Sequence, residues 1–108
     1  MMTRIPDAMR ETLGQLADDP DYGSLRRLQD VIFSAFIHEK PYRDRAFLWK
    51  QPVKRDMPGW RKFNVVIEEA LQEKVKAEAV RIEVSLQTLL YTALAWWIDA
   101  KRKPITPD

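Results

Sequence analysis

The chain has no cysteine and only one histidine, His38. Disulfides and thiolate metal sites are therefore excluded, and a reducing cytosolic setting is the natural expectation. Imidazole-based metal sites and catalytic triads have too little to be built from. No apolar run approaches the ~20 residues that a membrane span requires. The opening Met1-Met2-Thr3-Arg4-Ile5-Pro6-Asp7 lacks the apolar core of a secretory signal. Nowhere does the sequence assemble a nucleophile, a base and an oxyanion site, so no enzyme, cofactor or metal is expected. The Asp18-Asp19-Pro20-Asp21 cluster reads as turn chemistry rather than as a cation site.

What is present fits one compact domain, or two very small ones sharing a core: 45% hydrophobic and 31% charged residues in a chain of 108. The net charge of +2 is small, but its distribution is uneven. Residues 1–38 hold four basic and six acidic side chains, residues 39–60 six and three, and residues 61–108 eight and seven. The positive excess thus sits in the middle and beside residue 61, where local basic surface would attract phosphate.

Along the chain, Pro6 and Asp7 suit a helix start, and Met9, Leu13, Leu16 and Ala17 share one stripe, which predicts a helix over 6–19. Ser24 is an N-cap for a second helix over 24–39, with Leu25, Leu28, Val31, Ile32, Ala35 and Phe36 inward. Residues 40–60, broken by Pro41, Pro52, Pro58 and Gly59, hold at most one helical turn at 46–50. Arg61-Lys62-Phe63-Asn64-Val65-Val66-Ile67 alternates as a strand, with Phe63, Val65 and Ile67 on one face and Lys62, Asn64 and Val66 on the other. Helices over 68–83 and 85–101 follow, with Ser85 capping the second, and Pro104 and Pro107 beyond it.

The two halves match in pattern. With an offset of about 62, Ile5 falls on Ile67, Leu13 on Val75 and Ala17 on Ala79; after a one-residue deletion Ser24 falls on Ser85 and Leu28 on Leu89. The expected fold is mostly α with a short two-stranded antiparallel β-ribbon, in which Met1–Ile5 pairs with 62–67.

This strand–helix–helix order resembles the ribbon-helix-helix (Arc/MetJ-type) family of DNA-binding proteins. The resemblance implies a tandem, single-chain pseudo-dimer with a pseudo-two-fold. Residues 1–38 would be a degenerate first copy, 39–60 a basic and aromatic linker, 61–101 the second copy and 102–108 a tail. It further implies a monomer that binds double-stranded DNA with its ribbon in the major groove, as a repressor or an accessory factor in plasmid maintenance or DNA transfer. Carried over onto this sequence, base contacts fall to Lys62, Asn64 and Val66, with Met2 and Arg4 from the first strand. Val66 stands where the family has a polar residue, and suits a thymine methyl. Phosphate contacts fall to the helix starts at Ser24–Leu25 and Ser85–Leu86, with Lys54, Arg55 and Arg61 auxiliary. Two other readings stay open. A single motif over 61–101 would form a homodimer and leave 1–60 to a protein partner, as in antitoxins of this family. A third keeps the fold as an interaction adaptor.

Overall fold

The computed structural model describes residues 1–101, so the tail at 102–108 and the prolines at 104 and 107 lie outside the described residues. The chain opens on strand β1, Met2–Pro6. Helix α1, Asp7–Ala17, follows with Asp7 in its first turn, where the helix dipole favours an acid. A turn follows, in which the Asp19 carboxylate accepts from the Asp21 N–H and Gly23 adopts φ +78°. The three aspartates therefore act as a turn. Helix α2, Leu25–Glu39, is capped by Ser24, whose Oγ accepts from the Arg27 N–H, and ends on left-handed Lys40.

The linker carries a short 3-10 turn at Pro41–Arg43, and not a turn at 46–50. Near its end, Met57-Pro58-Gly59-Trp60 closes with the Trp60 N–H on the Met57 carbonyl. Proline second and glycine third at φ +82° mark a type II turn. That turn launches strand β2, Trp60–Asn64. Helix α3, Glu69–Arg81, starts under the Glu68 carboxylate, which accepts from the Ala70 and Leu71 N–H groups. Helix α4, Leu86–Trp96, is capped by Ser85 onto the Thr88 N–H and runs on as a π turn over Trp97–Lys101. Among the described residues the fold is thus mostly helical with one two-stranded antiparallel sheet. No helix there is long and apolar enough to cross a membrane.

The pairing differs from the expected one. Met2 faces Asn64, Thr3 faces Phe63, Arg4 faces Lys62, Ile5 faces Arg61 and Pro6 faces Trp60. The shift toward residue 60 follows from the type II turn: the Asp7 N–H reaches the Gly59 carbonyl at 2.8 Å, so the ladder starts earlier than residue 62. At the other end the Val65 N–H donates to the Met1 carbonyl. Val66 and Glu68 lie beyond the strand, and their N–H groups turn to Gln29 Oε1 and Asp30 Oδ1 of α2.

One core joins both halves: Ile5, Leu13, Leu28, Ile32, Phe33 and Phe36 pack with Phe63, Val65, Val75, Leu89, Leu90 and Leu94. β1 lies against α4, and α2 against α3 and α4, so each half covers the other. Val31, expected inside, is exposed, and Phe33 takes the buried place beside Ile32. In the linker, Phe47 and Trp49 cover the core edge around Phe36, while Leu48 between them is 79% exposed. Trp96 also packs edge-on to Phe36, at 5.5 Å, and both Trp96 and Trp97 are partly buried against the core.

Candidate nucleic-acid interface

Period-two alternation puts Thr3, Ile5, Phe63 and Val65 into the core. It leaves Met2, Lys62 and Asn64 exposed on the opposite face, with Arg4 half-buried among them. Antiparallel ladders alternate between hydrogen-bonded and closer, non-bonded pairs. Met1–Val65 exchange hydrogen bonds, so Met2–Asn64 and Arg4–Lys62 fall on close pairs. Two cations therefore stand directly opposite each other, an arrangement that destabilises a ribbon by itself. Val66 is exposed on the same side but past the strand end, held by Gln29.

Two of the expected contacts sit differently from the sequence reading. Arg4 does not project freely: its Nε and one terminal nitrogen both lie 3.3 Å from Asp56 Oδ1, and the other lies 3.4 Å from the Lys54 carbonyl. Arg61 is off the outward face. Opposite inward-facing Ile5, at the ribbon's edge, it turns to Asp7 at 3.1 Å. Each arginine of the ribbon is thus matched by a carboxylate, whereas Lys62 is exposed with no ion pair among the described residues.

Both helix starts are built alike. Ser24 and Ser85 spend their hydroxyls on the third helical N–H, at 3.1 and 3.2 Å. The N–H groups of Leu25 and Arg26, and of Leu86 and Gln87, precede the first intrahelical bond and remain available as donors. The side chains of Leu25 and Leu86 pack against the core, so only their backbones can serve an anion. At α4 these donors open into a cleft of about 780 Å³, whose lining includes Ser85, Gln87, Trp49, Lys54 and the opposing acid Glu83. Lys54 is therefore brought to this helix start, while Arg55 is exposed on the linker beside it.

Sequence reasoning passed over Arg26 and Arg27, both exposed in the first turn of α2. Cations there oppose the helix dipole. Two of them in the turn that follows a capping serine, at its second and third helical positions, was the available signal. Below the linker start, the nearly buried Glu78 carboxylate takes Arg81 at 2.6 and 2.7 Å, Lys40 at 3.0 Å and the Tyr42 hydroxyl. Chiefly the Arg81 hydrogen bonds hold Glu78 far below the ordinary carboxylate range, against the opposing effect of burial. Burial first, then the Glu78 hydrogen bond, pushes the Tyr42 phenol above its usual range. This network ties the linker to α3. Among the described residues no group of three or more histidine, cysteine or acidic side chains could hold a metal ion.

No family model, curated protein or solved structure matches the chain.

Proposed function

We propose that the protein binds double-stranded DNA sequence-specifically, with the β1–β2 ribbon in the major groove. It would act as a transcriptional repressor or an accessory factor in plasmid maintenance or DNA transfer. The observation that carries the reading is the outward ribbon face itself, which offers Lys62 and Asn64 as exposed donors, with Arg4 beside them on Asp56, on a strand pair thin enough for the groove. Arg4 directly across from Lys62 is a local cost that a phosphate or a guanine edge would relieve. Helix starts at Ser24 and Ser85, Arg26 and Arg27 at the first of them, and Lys54 and Arg55 supply the phosphate grip.

The tandem arrangement belongs to the same proposal. Helices open at Asp7 and Glu69, then at Leu25 and Leu86, with serine caps onto the same helical position in both halves. The shared core and the cross-packing of β1 on α4 and α2 on α3 support a covalent pseudo-dimer, monomeric in solution. A partner-binding first half as the alternative is less well supported, because Leu13, Leu28 and Phe36 are already spent inside the common core.

Titration of duplex DNA over a salt series tests this. Binding should weaken steeply with salt, and Lys62→Ala and Asn64→Ala should each cost roughly tenfold on a preferred sequence. Arg26→Ala and Arg27→Ala should each reduce the salt slope by about one. They should also raise thermal stability slightly, since each removes a cation from the positive end of α2. Absence of binding at low salt, or sedimentation of the free protein as a dimer, would retire the corresponding half of the proposal.

A further inference from the structure

The linker places a carboxylate on a cation that the ribbon offers to DNA. Arg4 is only 18% exposed at its side chain, while Asp56 is 81% exposed. Asp56 is not there by looseness of the loop. The segment is pinned on one side by Thr92 Oγ1, which accepts from the Lys50 N–H and donates to the Lys50 carbonyl. On the other side the type II turn begins at the very next residue, and its Gly59 carbonyl is fixed to Asp7. Six residues, 51–56, therefore span between two anchors along β1.

Geometry separates a support from a competitor. A carboxylate that orients an arginine for reading holds it by short, paired, charge-assisted bonds of about 2.7–2.9 Å. Here one oxygen serves two nitrogens at 3.3 Å, and the third nitrogen reaches a carbonyl at 3.4 Å. Contacts of that length to a solvent-exposed acid sit at the weak end of surface ion pairs. They also offset the repulsion between Arg4 and Lys62, which is the task the nucleic acid would take over.

Resting on the DNA-binding reading above, we propose that Asp56 is an intramolecular competitor for Arg4. It holds the first strand's arginine aside in the free protein and yields it to an acceptor on DNA. The linker thereby sets the affinity of the ribbon, and makes the first strand's contribution conditional on displacing Asp56. Lys54 and Arg55, next to it in the chain, stay beside the duplex when the carboxylate lets go.

The test is a double-mutant cycle of Asp56→Asn and Arg4→Ala, read by duplex DNA binding across a salt series. Asp56→Asn keeps the side-chain shape at an exposed position, and circular dichroism checks that each variant is folded. The expected result is tightening of roughly two- to fivefold in Asp56→Asn, with a salt slope steeper by about one. In the Arg4→Ala background most of that gain should vanish. An equal gain without Arg4 would mean that Asp56 acts only through its charge, and would overturn the competitor. Unchanged or weaker binding in Asp56→Asn would overturn it too, the latter by making Asp56 a support. If the unmutated protein binds no DNA at low salt, the ribbon reading fails first and takes this inference with it.

Discussion

Phe36→Ala is expected to destabilise the protein by about 3–5 kcal/mol, with a fall in Tm on the order of 15–25 °C. Phe36 is fully buried on α2. Its ring meets Tyr42 at 5.2 Å, Trp96 at 5.5 Å, Trp49 at 6.1 Å and Phe47 at 6.3 Å. Tilted and edge-on arrangements at these separations contribute beyond area burial. Alanine would leave a cavity walled by the linker on one side and the end of α4 on the other, and neither can close it without moving the linker. Leu48→Ala, one residue from two members of the cluster but 79% exposed, should stay within about 0.5 kcal/mol. Urea unfolding followed by tryptophan fluorescence reads both. A loss below about 1.5 kcal/mol for Phe36→Ala would mean that the cluster is not packed around this ring.

The second large effect concerns Glu78 and has a definite sign with pH. Its folded-state pKa is lowered by Arg81, Tyr42 and Lys40. The unfolded chain therefore binds a proton more readily than the native one, and stability rises with pH through that window. The contribution is complete above the ordinary glutamate pKa of about 4.3 and fades progressively as the pH falls below it. Glu78→Gln removes the charge and keeps the shape. At neutral pH it should cost about 1–2 kcal/mol, a figure held down by solvent screening of the partners. The gap between variant and parent should be flat from pH 5 to 8 and narrow toward zero in acid, where the parent's own Glu78 takes up a proton. Chemical denaturation at a series of pH values measures it. A gap that does not change with pH would show that packing, and not charge, holds the linker to α3.

Much of the local structure was legible because it depends on near neighbours in the chain. Alternation along residues 61–67 separated Phe63 and Val65 from Lys62 and Asn64, since successive strand side chains point to opposite faces whatever the partner. Ser24 and Ser85 announced helix starts through the reach of a hydroxyl to an N–H three residues on. Helical spacing located Leu13, Leu28, Ile32 and Phe36 in the core. It misjudged Val31 and missed Phe33, because neighbouring positions on a helix differ by about 100° and the partner decides where the stripe is centred.

Tertiary structure alone decided what the candidate interface has free to offer. Asp56 and Arg4 are 52 residues apart, and Arg61 and Asp7 are 54 apart. No local propensity marks such pairs, so a sequence can show that arginines lie on or beside a strand without showing that each has a carboxylate. The strand register was likewise set from outside the strands, by the turn at Met57–Trp60. Past the ladder, the Val66 N–H donates to the Oε1 of Gln29, a buried glutamine near the start of α2, so both polar groups are satisfied across elements. The sequence by itself determined helices α1 to α4, the two serine caps and the two faces of the ribbon, which are consequences of backbone geometry and of contacts within a few residues. Which charges on that ribbon stand open to a ligand was decided only when the linker folded back along β1, because an ion pair depends on distance in space and not on separation along the chain.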